Sequence, residues 1–386
     1  MSHTTKKIKV LFRHRFMEMG GVEKVILSMV NNLDPEKFDI TVCLTMNQGE
    51  LRDEFPSHIR KVYLVDGKED MSQNSFIQKI QLAQRKLKLI KAEKDPKIAD
   101  RILKEKYDVE IAPSYSTFAM TLNSSNKNSK KIGWFHSDVT VPKFKPLIPL
   151  VMEYIPRFDY FIFGSQQTRD IFVKTFPDLK LPENQVILNA IPIEELKSKA
   201  LEFTPELPKV PTFVSVARLH SRKGFHKLME AHARLIQDGF NHHITVIGDG
   251  EERERLKQQA KNLNVTGSFE FLGSLTNPYP YVKNADFFIL PSESEGWPLI
   301  IADTLILQKP IIATNVGGIP EMITHKKNGY LINYEVDDMY EAMKEFLTNP
   351  ELVSDIKENL VNIEDQFDNQ KIFDAVENII LKLAQQ

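Results

Sequence analysis

The sequence predicts an α/β fold built from two doubly wound units, and three observations carry that prediction. Short runs of branched apolar residues recur along the chain, each ending in small or polar residues. Between them lie stretches whose apolar residues return every three to four positions, the spacing of one helix face. The alternation breaks once, at Glu194–Pro211 (EELKSKALEFTPELPKVP), where charge and three prolines read as a linker, and then restarts. Strands alternating with helical patterns imply βαβ units and a parallel sheet. A chain of 386 residues is too long for one common domain and suits two. The expected division is a first unit over residues 1–195, a linker over 196–211, a second unit over 212–364, and a C-terminal helix over 365–386 packing back on the first unit.

The elements follow in order. IKVLF (8–12) reads as a buried strand, Met19-Gly20-Gly21 as a turn, and VEKVILSMVNNL as a helix, with Val22, Val25, Ile26, Met29, Val30 and Leu33 on one face. FDITVCLT, YDVEIAPS, KKIGWFHS and FDYFIFGS read as the next strands. After the linker, PTFVSVARL is a strand, GFHKLMEAHARLI a helix, HHITVIGDG a strand and EERERLKQQAKNL a helix, and ADFFILPS, PLIIADTLI and PIIATN continue the rhythm. Residues 78–106 are Lys-rich and helix-compatible, suited to covering the first sheet or lying against an anionic surface. In open α/β sheets ligands sit outside the carboxyl ends of strands, and in two-domain proteins pockets favour the interface, so a cleft between the units is where function is expected.

Composition narrows the class. The chain is 42% hydrophobic and 26% charged, an ordinary soluble composition. The single cysteine, Cys43, excludes a disulfide framework and a Cys-based metal site. Lys6, Lys7 and Lys9 precede only a short apolar stretch before Arg13, and no window offers about 20 uninterrupted apolar residues, so neither a signal peptide nor a membrane span is expected and the cytoplasm is the expected compartment. The net charge of −2 divides into +7 over residues 1–200 and −9 over the rest. A basic first half draws anionic partners or is simply a solvated surface.

Four stretches carry chemistry. In SVARLHSRKGF, Arg218 and Lys223 follow an apolar strand and Gly224 opens a helix. Two cations at a strand end beside a helix N-terminus suit a diphosphate, Arg as a fork and Lys as a movable point charge; the plain alternative is a solvated basic loop. At Gly20-Gly21, missing Cβ atoms let backbone N–H groups approach a phosphate, although a ligand-less tight turn reads the same way. VIGDGEERERL favours a structural turn in which Asp249 caps a helix. In SESEGWPLIIAD, Gly296 permits a sharp turn and Pro298 suits the first turn of a helix. Asp303 then falls about two turns beyond Glu295, facing roughly the same side, able to accept hydrogen bonds from a vicinal diol. The plain alternative there is one capping and one surface acid.

Taken in order, the Gly-Gly turn, Arg-x4-Lys, and a Glu followed eight positions later by a second acid resemble the retaining glycosyltransferases of family 4, which have the GT-B fold. The resemblance covers nearly the whole chain and is densest from Val214 to Tyr330, where PSESEGWPLIIAD is similar to the family's E-x7-E motif and ATNVGGIPEMITHKKNGYLI to the segment that follows it. It implies that Arg218 and Lys223 clamp the donor diphosphate and stabilise the departing nucleotide. Glu295 would contact sugar hydroxyls, with the amides of Gly296, Trp297, Pro298 and Leu299 lining the cradle (proline contributing backbone without an N–H). Gly20 and Gly21 would approach the diphosphate, Leu275 in LGSL would meet the base, and His136 in GWFHSD would lie near the reacting sugar. Asp303 departs from the pattern: the family has Glu there, holding ribose, and Asp is one methylene shorter, so ribose would need a closer helix or a bridging water.

The implied reaction moves a sugar from a nucleotide-diphosphate sugar, UDP-linked first and GDP-mannose second, to an acceptor hydroxyl with retention. No cofactor and no metal are expected, since no Asp-x-Asp occurs and two cations would do the metal's work. The implied acceptor is a glycan or lipid-linked glycan bound by the first unit, as in bacterial surface-glycan assembly, and no nucleic-acid partner is expected. Lys143 to Leu150, mixing Lys143 and Lys145 with Phe144, Leu147 and Ile148, suits docking at the inner membrane face or a buried helix. The rival readings are a nucleotide-sugar epimerase on the same fold and a non-catalytic nucleotide-sugar-binding protein. A dinucleotide dehydrogenase is disfavoured by the missing GxGxxG.

Overall fold

A computed structural model of the chain describes residues 6–95, 97–137, 139–140 and 142–386, without the side chains of residues 93, 142 and 143. It falls into two units, Met1–Ala190 with Asn369–Gln386, and Ile191–Asp368.

The first unit is built on β1 (Ile8–His14), β2 (Phe38–Asn47), β3 (Arg60–Asp66), β4 (Val109–Ala112), β5 (Lys130–Phe135), β6 (Tyr160–Phe163) and β7 (Glu183–Val186). All pair in parallel in the order β3-β2-β1-β4-β5-β6-β7. Strands covered by helices on both faces read as continuous apolar runs, which is why Val10, Leu11 and Phe12 vanish from solvent together. One core layer packs Ile26, Met29 and Val30 of the helix Gly21–Asn32 with Phe373, Val376, Ile380 and Leu383 of the helix Asn369–Ala384 against Phe12, Ile111 and Trp134. The chain's last helix thus belongs to the first unit, and Glu377 ties it there by accepting from Asp34 N at 2.8 Å and Lys37 Nζ at 2.7 Å. The other layer is aromatic, with Phe118, Phe135, Phe161, Phe163 and Phe172 meeting mostly edge to face. A buried ion group, Arg13–Glu110–Lys131, sits within the sheet; Glu110 accepts from Arg13 Nε at 2.7 Å and Lys131 Nζ at 2.8 Å.

The second unit is built on β8 (Thr212–Val216), β9 (His243–Ile247), β10 (Phe269–Gly273), β11 (Phe287–Leu290), β12 (Ile311–Thr314) and β13 (Tyr330–Ile332), again parallel, in the order β10-β9-β8-β11-β12-β13. The expected linker is corrected here: Ile193–Lys199 is a helix of the second unit with Leu196 buried, so irregular chain between the elements runs from about residue 200 to 211. The proline run reads as a linker, but the apolar residue ahead of it packs. Among the described residues no helix is long and apolar enough to cross a membrane.

In both sheets the strand order reverses once, beside the first strand: between β1 and β4, and between β8 and β11. Connections leaving such neighbours depart to opposite sides, which opens a crevice at their carboxyl ends.

Candidate functional site

In the second unit the loop after β8 carries Arg218 to Gly224, and the loop after β11 carries Ser292 to Pro298. Two glycines let these loops meet. Gly224 has φ +72°, and a side chain there would collide with the Pro291 carbonyl. Gly317, at φ +58°, would collide with the Glu295 carbonyl. Backbone bonds then fasten the loops: Glu293 N donates to Arg222 O at 2.7 Å and Gly318 N to Gly296 O at 2.5 Å.

The closure brings Lys223 onto Glu295. Lys223 Nζ donates to Glu295 Oε1 at 2.5 Å, and the Ser292 hydroxyl donates to the same oxygen at 2.6 Å. Arg222 bonds Ser294 O at 2.8 Å and stands 3.6 Å from Glu295 Oε2. Burial pushes the Glu295 pKa up, but the charges of Lys223 and Arg222 and the bonds from Lys223 and Ser292 outweigh it and hold the carboxyl below its ordinary range. Glu295 is therefore a buried, fully ionised acceptor.

Arg218 is not part of this cluster. Its side chain is 74% exposed and approaches Glu251 at 3.9 Å, so the expectation of two fixed cations is corrected to one held on Glu295 and one exposed. It lies two residues past the end of β8, where its side chain is exposed. The expected two-turn relation between Glu295 and Asp303 is also corrected. Pro298 takes ψ 106°, an extended N-cap, and the helix runs Leu299–Ile306, so Glu295 to Trp297 is not helical and its position follows from the Gly317–Gly318 contact. Asp303 lies inside that helix, only 4% exposed, accepting the Tyr279 hydroxyl at 3.2 Å. Burial and Asp303 push the Tyr279 phenol well up, so it stays a donor. Trp297 is buried with its indole N–H lacking a protein partner among the described residues. Pro298 and Leu299 form the helix start, where the first amides have no intrahelical acceptor. Leu275 is half-buried just past β10. Asp249 does not cap the helix Arg253–Asn262; it pairs with Arg253 at 2.8 Å, one turn on.

The first unit has its own set at its own strand reversal. Gly20 is the N-cap of the helix Gly21–Asn32, and the Glu23 carboxylate lies over it, where a side chain at Gly20 would collide. Glu23 Oε1 bonds His14 Nε2 at 3.0 Å. A side chain at Gly21 would meet nothing, so the approach to that turn is open at Gly21 and occupied by an acid at Gly20. His136, just past β5, stacks on Trp134, with 5.5 Å between ring centroids. Burial, then the neighbouring His14, pull its pKa down to about 4, so it is neutral at pH 7. Its Nε2 is buried with no protein partner among the described residues.

Sequence reasoning missed Arg222, Ser292, Gly317, Tyr279, His14 and Glu23. Arg222 and Ser292 were within the quoted motifs and differ from their neighbours only in where the loop points them; Tyr279 and His14 carried no local signal.

Comparison with known proteins gives these residues a setting. Residues 197–361, which include the β8 and β11 loops, match the family described as Glycosyl transferases group 1. The chain is 28% identical over 171 residues to an uncharacterized glycosyltransferase of Haemophilus influenzae, covering 44% of this chain and 48% of that protein. It is 26% identical over 225 residues to a Campylobacter jejuni N-acetylgalactosaminyltransferase whose name gives a diphospho-undecaprenol acceptor, covering 58% of this chain and 60% of that one. The match thus spans about half of the first relative's length. In fold the chain is similar to Anabaena HepE in complex with UDP-glucose, with TM-score 0.75 and 18% identity, covering 97% of this chain and 100% of HepE. The architecture of both units is that of GT-B proteins.

Proposed function

From the match of residues 197–361 to the group 1 glycosyltransferases, we propose that the protein transfers a sugar from a nucleotide-diphosphate sugar to an acceptor hydroxyl with retention of anomeric configuration. A UDP-sugar is the favoured donor and GDP-mannose the second. The observation that carries the reading is the pairing of Lys223 with buried, ionised Glu295 at the β8/β11 reversal.

That pair is a reason to expect ligand exchange. A diphosphate offers Lys223 two negative charges in place of one, and the exposed Arg218 can close on it as a fork. Glu295, released from Lys223, then accepts hydrogen bonds from sugar hydroxyls. As the donor C1–O bond breaks, its electron pair passes to the leaving phosphate oxygen, where Arg218, Lys223 and the start of the helix Leu299–Ile306 stabilise the charge. The acceptor oxygen bonds C1 from the same face, and its proton goes to a phosphate oxygen of the departing nucleotide. These cations suffice without a metal in this reading. Asp303 takes the ribose hydroxyls from the side opposite Tyr279, whose hydroxyl fixes the shorter carboxylate. Trp297 and Leu275 line the cradle. For the first unit we propose acceptor binding, with Gly21 as the open approach and neutral His136 offering Nε2 to a sugar hydroxyl. A lipid-linked glycan is the favoured acceptor, in line with the Campylobacter relative's name.

The test is thermal stabilisation by UDP, GDP, their sugars and NAD without added metal, followed by product analysis with and without acceptor. A ligand of the folded state raises the melting temperature by mass action. Shifts with UDP or GDP ligands and none with NAD support the reading. No shift with any nucleotide overturns it, and donor interconversion without acceptor would make the protein an epimerase.

A further inference from the structure

The helix Ser75–Lys94 (SFIQKIQLAQRKLKLIKAEK) is amphipathic the wrong way round. Along it, Phe76, Ile80, Ala83, Leu87 and Ile90 recur at four- and three-residue steps, one stripe of an α-helix. That stripe faces solvent: Phe76 is 72% exposed, Leu87 60%, Ile80 45% and Ile90 38%. The opposite face, Gln78, Gln81, Arg85, Leu89 and Ala92, is the half-buried one. It is held by polar contacts: Gln81 Oε1 accepts from Ser72 N at 2.9 Å and Arg85 donates to Gln48 Oε1 at 3.3 Å. Asn74 caps the helix by accepting from the amides of Phe76 and Ile77, so the apolar start is fixed in place. Of the large apolar side chains exposed anywhere in the described residues, nearly half lie on this helix. The expected membrane-docking stretch, Lys143 to Leu150, offers far less: Phe144 is buried, and Leu147 and Ile148 pack on the aromatic core. The side chain of Lys143 lies outside the described residues.

Charge decides what covers the stripe. The helix carries Lys79, Arg85, Lys86, Lys88, Lys91 and Lys94 against one acid, Glu93. On the helical wheel Lys79 and Lys86 border the stripe on one side and Lys91 and Lys88 on the other. A second copy docking on the same face would set like charges together. An anionic lipid surface offers phosphates to the flanking lysines and hydrocarbon to the stripe, the arrangement of an interfacial helix.

We propose that the helix Ser75–Lys94 docks the protein on an anionic lipid surface, lying in the plane of the headgroups with Phe76, Ile80, Leu87 and Ile90 inserted. This does not depend on the donor reading, because no residue of the β8 and β11 loops enters it.

The experiment is co-sedimentation of the full chain with vesicles of phosphatidylcholine alone and of phosphatidylcholine mixed with phosphatidylglycerol. Binding is expected to the mixed vesicles, with loss at high salt. Phe76→Asp with Leu87→Asp, and separately the triple Lys79→Glu, Lys86→Glu, Lys91→Glu, should each weaken it tenfold or more while the melting temperature stays unchanged. A Phe76→Trp variant should shift its emission to the blue on mixed vesicles, a readout that needs no loss of binding. Equal binding to both vesicle types, or no blue shift on the mixed ones, overturns the proposal. A dimer abolished by the same substitutions, without vesicle binding, also overturns it and assigns the face to a second copy.

Discussion

Lys223 is held by a single carboxylate, and that makes the two members of the pair separable by experiment. Lys223→Ala removes a cation from the proposed leaving group and should lower kcat/KM about 10²–10³-fold, by analogy with losing one oxyanion donor; near wild-type transfer would remove the diphosphate role. Glu295→Gln leaves the Lys223 charge without its buried partner, at a cost to stability of about 3–5 kcal/mol. The same change should let UDP bind at least as tightly as before, because the diphosphate no longer competes, while transfer is lost. Weaker UDP binding together with intact transfer would contradict the exchange. At the other end of the motif, Tyr279→Phe should reduce UDP affinity several-fold by removing one bond that orients the shortened Asp303 carboxylate; unchanged affinity would show that this bond does not position a ribose-binding group. The acid pair itself was legible, since two carboxylates around Gly-Trp-Pro stand out in any reading. Their relation was not. A count of eight assumes helix throughout, whereas Pro298 and the Gly317–Gly318 contact keep Glu295 outside the helix, and no local pattern announces a contact with a segment more than twenty residues away.

The same distinction between local and distant signals governs the elements. The interior strands were read from sequence because cover on both faces demands unbroken apolar runs, as in Phe161 to Phe163 or Phe287 to Leu290. The four strands not anticipated, β3 (RKVYLVD), β7 (ENQV), β10 (FEFLG) and β13 (YLI), are the four sheet edges. An edge strand is partly exposed, so it either takes in polar and charged residues, as β3, β7 and β10 do, or shrinks to the three residues of β13, and the run that would identify it is lost. The helix Ser75–Lys94 was legible as helix but not in orientation, because periodicity gives a stripe without saying which way it faces. Glycines offer a test at this scale. Gly224→Ala puts a side chain into the Pro291 carbonyl at φ +72° and should cost at least about 1–3 kcal/mol in denaturant unfolding, with nucleotide binding impaired as Lys223 moves. Gly21→Ala meets nothing and should leave stability within about 0.5 kcal/mol of wild type. If the two variants were equally stable, the loop closure attributed to Gly224 would be wrong.

For the molecule as a whole, acid is the condition that should loosen the fold, and buried histidines are the reason. In the second unit Phe240 O can only accept, so the His242 Nδ1 beside it at 2.8 Å carries the proton. His242 Nε2 must then accept from His232 Nδ1 at 2.8 Å, and His232 Nε2 accepts from the Ser268 hydroxyl at 2.8 Å. The chain is satisfied with both rings neutral, and a proton added at His242 Nε2 faces the N–H of His232. Burial, then His242 and His243, pull the His232 pKa to about 3; burial lowers His242 and His243 as well, and His136 in the first unit is held near 4. A base whose native pKa lies below its unfolded value of about 6.5 binds a proton when the chain unfolds, so its contribution is full above pH 6.5 and is lost as pH falls. For His232 alone the loss at pH 5 is about 2 kcal/mol, at about 1.4 kcal/mol per unit. Glu110, which burial raises but Arg13 and Lys131 bring below its ordinary range, acts in the same direction only at lower pH. The melting temperature should therefore hold from pH 8 to about 6.5 and fall steadily toward pH 5. Replacing both rings of the chain, His232→Phe with His242→Phe, removes donor and acceptor together and should flatten that fall even if the midpoint at pH 8 changes. A double variant that kept the full wild-type slope between pH 6.5 and 5 would place the acid sensitivity elsewhere, with His136→Phe the next variant to measure.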